Sequence, residues 1–440
     1  MKIAVIGSGV SGLGAALALS GAHDVRLFER EARFGGHANT ATVSVGGQDV
    51  AVDTGFIVFN ELTYPNLCGM FRHLDTPTKQ SDMSFGFSMA KGRFEYACDN
   101  IDKIFAQRLN ALRPSFWRAF RDVMRFIKIA PQQLESGAVG DLSLGDWLKR
   151  EGFGRLFREC FLLPMSGAIW STPSERMMSF PARNLLSFFA NHDLYTGLAD
   201  AVQWRTVDGG SRVYVDEIIA RLGDRAETNA AVETVRRLGG KVELTFAGGR
   251  RDVFDHVVIA AHAPQTRAML ADQDAEEADI LSNFRTTENT AVLHTDASLM
   301  PKRRKVWSSW SMLCDGAMAD SGRPVTLTYW MNRLQGLPTD HDVFVTLNAD
   351  RQPDPAKTVA TYDYAHPFYD KATFDALARL DDIQGRGGVW YAGAWTGWGF
   401  HEDGLKSALR IAEALDAAPE WAVDTGEALA SPLAHRIAAE

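Results

Sequence analysis

Cysteine is scarce in this chain. The four present, Cys68, Cys98, Cys160 and Cys314, lie far apart and form no C-x-x-C pair. That spacing supports neither a disulfide framework nor a zinc site, so no metal centre is expected and a reducing compartment fits best. Positive charge is also in deficit: 46 Lys and Arg against 55 Asp and Glu give a formal net charge of −9. Nucleic acid is thereby excluded as the main partner, because binding phosphates needs clustered cations. No apolar run reaches the roughly 18 residues of a membrane-spanning helix. The first strand-like run begins at Lys2 with no signal peptide before it, so a cytoplasmic location is expected. Repeats and low-complexity tracts are missing, and only the tail, residues 419–440, reads as loosely ordered. What remains is 46% hydrophobic and 23% charged over 440 residues. That is ordinary globular material, enough for two or three domains at about 150 residues each.

The first informative segment is at the start. Lys2-Ile3-Ala4-Val5-Ile6 is an apolar run of the kind that buried parallel strands need. Gly7-Ser8-Gly9-Val10-Ser11-Gly12 follows and opens an Ala- and Leu-rich helix to about Ser20. A second strand, Val25 to Phe28, ends at Glu29. The glycines let the chain turn tightly and let a pyrophosphate approach the backbone, while the helix N-terminus offers free N–H groups and partial positive charge. Glu29, 17 residues after Gly12, is placed to accept hydrogen bonds from a ribose with a free 2′-hydroxyl. The pattern reads as dinucleotide binding, with FAD and NAD both open at this point. The alternative is a tight turn packed without ligand.

Further pieces belong with it. Arg33-Phe34-Gly35-Gly36-His37 suits a second clamp on the pyrophosphate, and Val50 to Phe56 gives a strand ending in a glycine turn. A hairpin from Lys241 to Phe254, turning at Gly248-Gly249, leads into the buried strand Val257 to Ala261. Much later, Val389-Trp390-Tyr391-Ala392-Gly393 is a short apolar strand, and His401-Glu402-Asp403-Gly404 opens a helix to about Leu415. A strand and helix returning this late suit a flavin, whose ring lies far from the first glycine turn. A helix N-terminus there can stabilise negative charge on the reduced ring. FAD is therefore preferred to NAD alone.

These residues together resemble the FAD-dependent superfamily of flavin amine oxidases, phytoene desaturases and protoporphyrinogen oxidase. A closer resemblance, over nearly the whole chain, is to bacterial proteins labelled NAD/FAD-binding oxidoreductases. Its hallmarks stand here as Gly35-Gly36-His37-Ala38-Asn39-Thr40, Asp53 to Asn60, Ala168-Ile169-Trp170-Ser171 and Gly399 to Gly404. Such proteins are often encoded beside cyclopropane-fatty-acid-synthase-like methyltransferases, which implies a lipid acyl substrate and a methyltransferase partner. Carried over position by position, the resemblance implies that Gly7, Gly9, Gly12, Glu29, Arg33, Gly35, Gly36, Val232, Gly393 and Gly404 touch FAD. His37 would be a neighbour of the cofactor. Three departures weaken amine oxidation: His37 replaces an arginine, His401 replaces a cage tyrosine, and Thr286 to Pro301 contains no lysine.

The fold class expected is α/β, a Rossmann-type FAD-binding domain (1–60, 205–285 and 385–418) interleaved with an α+β substrate domain (61–204 and 286–384). Residues 61–204 read as mostly helical. Strand-like runs are Ala291–Thr295, Val306–Met312, Val325–Met331 and Val343–Leu347. The site should lie where the domains meet. After Pro114, the period places Phe116, Phe120, Val123 and Ile127 on one helix face and Arg118, Arg121, Arg125 and Lys128 on another. The simpler reading is a core-packing helix with a solvated basic face. The second is peripheral contact with an anionic membrane. Trp170, Trp204, Trp307, Trp310, Trp330, Trp395 and Trp398 suit either core packing or the wall of an acyl tunnel.

His401 is the expected catalytic acid or base, lying beside Glu402 and Asp403. His294 is a weaker candidate, and His192, His262 and His366 read as structural. The function expected is FAD-dependent dehydrogenation of an apolar fatty-acyl or lipid substrate. A double-bond isomerase of unsaturated fatty acids, an amine oxidase, and a flavin-bound protein that delivers lipid to a methyltransferase remain as alternatives.

Overall fold

The computed structural model describes residues 1–170, 174–191, 202–314 and 326–423. Ser171, His192 and the tail from 424 lie outside the described residues, as does the side chain of Trp170. Five parallel strands form the first sheet, in the order Ala226–Glu227, Asp24–Phe28, Lys2–Ile6, His256–Ile259, Val389–Tyr391. Lys2–Ile6 is central, and its alternate residues serve two different cores. Ile3 and Val5 pack with the helices Val10–Leu19, Arg212–Leu222 and His401–Ala414. Ala4 and Ile6 pack against the antiparallel strands Val232–Leu238, Lys241–Phe246 and Arg251–Phe254. Burial on both faces is why the sequence reads there as an unbroken apolar run.

A second sheet of seven strands carries the other half. Its order is Thr358–Phe368, Arg285–His294, Phe344–Leu347, Thr326–Trp330, Trp310–Cys314, Phe85–Met89, Phe94–Ala97. Its pairs are antiparallel except that between Trp310–Cys314 and Phe85–Met89. Two features depart from the sequence reading. The stretch 61–204 supplies two strands of this sheet, so it is less helical than its composition implied. Thr358–Phe368, the longest strand, was not anticipated. It alternates exposed and half-buried positions over most of its length, so it carries no apolar signature.

The long helix Pro114–Glu135 forms as its period requires, but the buried stripe is Phe116, Asp122, Phe126, Ala130 and Leu134. Phe120 is exposed, and Val123 and Ile127 are half-buried. The unit around the parallel sheet also extends past the boundaries drawn at 60 and 385. Its cores take in Leu67, Met70 and Phe71 of the helix Pro65–His73, together with Ala376, Leu380 and Ile383. Amphipathic segments announce that they bury a face, not which core receives it. No disulfide is formed among the described residues, and burial pushes the thiols of Cys98 and Cys160 up to about 12.

One carboxylate fastens the late helix to the early chain. Glu402 accepts the backbone N–H of Asn66 at 2.9 Å, its side-chain amide at 2.8 Å, and the N–H of Leu67 at 2.9 Å. The two backbone N–H groups stand in the first turn of the helix Pro65–His73, where no carbonyl of the helix itself receives them. Glu402→Ala leaves them buried without that acceptor and should cost about 1–3 kcal/mol. A lower urea midpoint at unchanged slope is expected, and an unchanged midpoint would show that the cap contributes nothing.

Candidate active site

The carboxyl ends of four parallel strands open into one cavity of about 1380 Å³ between the two sheets. This is where open parallel sheets bind ligands. Gly7, Gly9, Glu29, Arg33, Gly36, His37, Val232, Gly393 and His401 line it; Gly12, Gly35 and Gly404 do not. Gly12 is a packing glycine, since a Cβ there would stand 1.8 Å from the carbonyl oxygen of Gly7. A Cβ on Gly404 would stand 2.6 Å from Ser11 Oγ, where the first and last helices cross. Gly35 donates its N–H to the Ser8 carbonyl at 3.1 Å and so ties the two glycine turns together.

Gly9 differs from these. Among the described residues no atom beyond its two chain neighbours lies within 4 Å of where its Cβ would stand, and it precedes the helix Val10–Leu19 at the cavity wall. Glu29 is held in place by the N–H and hydroxyl of Ser8, at 2.9 and 2.6 Å, and by the N–H of Glu31 at 3.0 Å. Arg33 is exposed at the rim and donates to the Gly36 carbonyl at 2.8 Å. An open backbone approach at a helix N-terminus, a fixed carboxylate one strand away and a long cavity fit the pyrophosphate, ribose and ring of FAD. Gly9 and Gly36 would face the pyrophosphate, and Glu29 the adenosine ribose.

Three histidines meet in the wall. The ring of His37 lies 5.5 Å from that of His366 and 5.9 Å from that of His262, with Tyr364 at 4.8 Å. The structural roles expected for His262 and His366 are therefore revised, since both line the cavity. The period-2 spacing of Tyr364, His366 and Phe368 was the available signal, but it needs the strand to be recognised first. The hallmark residues Asn39 and Thr54 place Tyr364: its hydroxyl lies 3.1 Å from Asn39 Nδ2 and 2.8 Å from Thr54 Oγ1. His294 is outside the cavity. It bonds Thr346 Oγ1 at 2.7 Å and accepts the N–H of Asp296 at 3.0 Å, a structural role.

His401 stacks on Phe56 with ring centres 3.7 Å apart, and its Nε2 is buried without a hydrogen-bond partner among the described residues. Glu402 and Asp403 do not assist it. The first holds residues 66 and 67, and the second accepts the Phe400 N–H at 2.9 Å. Burial pushes His401 down to about 3. The role of general base is accordingly corrected: a desolvated imidazole without a carboxylate behind it is a weak base. What it offers is a neutral ring and one free polar atom.

The far end of the cavity is apolar, walled by Met83, Phe85, Met165, Ile169, Trp310 and Tyr329. Trp204, Trp395 and Trp398 also line it, whereas Trp307 and Trp330 pack with Phe344 elsewhere. No lysine is among the described lining residues.

The family model described as flavin containing amine oxidoreductase matches residues 10–340. A Mycobacterium tuberculosis protein named as a flavin-containing monoamine oxidase, AofH, is 24% identical over 280 residues, 61% of this chain and 58% of that protein. The chain thus spans a little over half the length of that curated relative. Putrescine oxidase bound to putrescine superposes with a TM-score of 0.68 at 14% identity, over 95% of this chain and 99% of that one. A CLA-producing fatty acid isomerase from P. acnes superposes with a TM-score of 0.66 at 16% identity, over 94% and 98%. At such identities the two structures share the fold.

Two measurements test the site. Gly9→Val should keep the thermal midpoint of the FAD-free protein and lose most of the bound FAD, read from flavin absorbance per protein. Full retention of FAD would remove Gly9 from the cofactor path. The second concerns protons. Burial holds His37 and His262 below the usual histidine range and His366 at about 4, as it does His401. Nearby His366, His262 and His401 lower His37 further. Each binds fewer protons folded than unfolded, so together they lower stability as pH falls below about 6.5. Asp53 and Asp403, raised by burial to about 6 and about 7, act in the opposite direction. Replacing His366 and His401 by Gln should make the acid-side fall shallower, by up to about 1.4 kcal/mol per pH unit for each residue. Equal slopes in urea titrations across pH would show that neither histidine is buried in its neutral form.

Proposed function

The chain belongs to the flavin containing amine oxidoreductase family, and from that premise we propose that it is an FAD-dependent oxidoreductase that dehydrogenates an apolar unsaturated acyl chain. The observation that carries this reading is the far end of the cavity, where aromatic and thioether side chains form the wall and no lysine stands among the described residues. Glu288 and Asp363, two carboxylates on the lining, are exposed, so among the described residues a substrate ammonium would find no buried counter-charge at the apolar end. When bound, FAD supplies an acceptor for a hydride.

The protein's own part is to bind, orient and exclude water. The apolar walls take up an alkyl chain by removing its surface from water, worth about 0.8 kcal/mol per buried CH₂. His401, flat against Phe56, presents the orphaned Nε2 as the polar atom that a substrate group or cofactor edge would satisfy. His37, His262 and His366, held neutral by desolvation, offer polar contact at the domain junction without a fixed charge.

Anaerobic mixing of the FAD-loaded protein with unsaturated fatty acids, phospholipids and simple amines tests this. Bleaching of the flavin by an acyl compound and not by amines is expected. Bleaching by amines alone would return the protein to amine oxidation. Rearranged double bonds without net bleaching would make it an isomerase. With an active acyl compound, His401→Ala should retain FAD and slow flavin reduction about tenfold or more, the loss expected when one positioned polar contact is removed. Reduction at the unaltered rate would remove His401 from the substrate contact.

A further inference from the structure

The outer face of the helical layer carries a surface that the cavity does not explain. Among the described residues, six of the twelve large apolar side chains that stand exposed fall between positions 101 and 124. Isolated exposed apolar residues are ordinary, whereas a contiguous cluster marks an interaction surface. Leu109 and Leu112, 70% and 79% exposed, sit on the turn Arg108–Leu112 that leads into the long helix. Trp117, Phe120 and Met124, 50%, 38% and 54% exposed, follow at i, i+3 and i+7 and form one stripe along it. The helix Pro114–Glu135 therefore has two apolar faces. Phe116, Phe126, Ala130 and Leu134 fill the core, and no described residue buries the side chains of the other face.

Charge decides what fits there. Residues 101–128 hold seven basic residues and two acidic ones in a chain of net charge −9. One of the acids, Asp122, is buried and accepts the N–H of Gly154 at 2.9 Å. Arg113, Arg118, Arg121 and Lys128 are exposed beside the apolar stripe and enter no ion pair among the described residues. Arg125 is different: it donates to the Glu151 carbonyl at 2.7 Å and lies 4.2 Å over the Phe153 ring, so it belongs to the packing. A second copy of the chain is a poor occupant, because a two-fold contact would bring the same cations face to face. An interface that is apolar below and anionic above matches both stripes at once.

We propose that this face seats the protein on an anionic lipid surface. Leu112, Trp117, Phe120 and Met124 enter the interface, and Arg113, Arg118, Arg121 and Lys128 meet headgroup phosphates. The cavity lies one helix further in: Phe126 packs edge-on against Phe189 at 5.9 Å, and the adjacent Phe188 lines the cavity. The inference stands on this surface and does not depend on the substrate proposed above.

Co-sedimentation of the FAD-loaded full chain with phosphatidylcholine vesicles, with and without one part in three of phosphatidylglycerol, tests it. The protein should pellet with the anionic vesicles, less so at high salt, and remain in solution with neutral ones. Arg118→Glu with Arg121→Glu should weaken anionic binding about tenfold or more. Trp117→Ser with Phe120→Ser and Met124→Ser should abolish it. All five positions are exposed, so FAD content and thermal midpoint should stay as in the unaltered protein, which separates lost docking from lost folding. Absence of binding by the unaltered protein, or equal binding by both variants, overturns the proposal. It is also overturned if light scattering shows a dimer that the triple variant dissociates, since the face would then be an interface between copies.

Discussion

Close contact between the first and last helices is the constraint on which the rest of the structure depends. A Cβ on Gly404 would strike Ser11 and Val10, and one on Gly14 would meet Leu405 at 2.4 Å. The two helices touch with nothing between them, and the late strand Val389–Tyr391 can then pair beside His256–Ile259. Because that packing is tight, small changes of volume there are felt as strain. It fixes the N-terminus of the late helix at the cavity and sets His401 against Phe56, two residues more than 340 positions apart in the chain.

Desolvation governs the chemistry at that junction. Four histidines stand in the wall, and each is pushed toward its neutral form, chiefly by burial. The carboxylates nearest His401 are committed elsewhere, Glu402 to the backbone at residues 66 and 67 and Asp403 to the first turn of its own helix. A site built this way places neutral polar atoms and aromatic surface around a ligand instead of a relay of charges. That suits an apolar substrate and a cofactor that carries its own reactivity.

Much of the nucleotide-binding half was legible in the chain because its signals are local. The run Lys2–Ile6, the glycines at 7, 9 and 12 and the acid at 29 each follow from one turn of backbone and its neighbours. The substrate half was less legible. Thr358–Phe368 is exposed or half-buried along most of its length, and Phe85–Met89 and Phe94–Ala97 are short strands within a mostly helical stretch. Thr358–Phe368 pairs with Arg285–His294, and Phe85–Met89 pairs with Trp310–Cys314 besides its hairpin partner Phe94–Ala97, so much of the ladder that stabilises them leaves no local mark. The long helix shows the same limit. Its period was readable, yet the core took Phe126 and left Phe120 and Trp117 outside.

The sequence by itself determined the parallel sheet, its glycine turn, the acid Glu29 at the end of the second strand and the family to which the chain belongs. Those features depend on residue type and short spacing, which the chain states directly. Only the tertiary structure decided that His37, His262 and His366 share one wall, that Gly12 and Gly404 pack helices instead of lining the cavity, and that His401 has no carboxylate behind it. Each of these is a matter of which distant surfaces meet. Burial, and with it the charge state of a side chain, exists only once they have met.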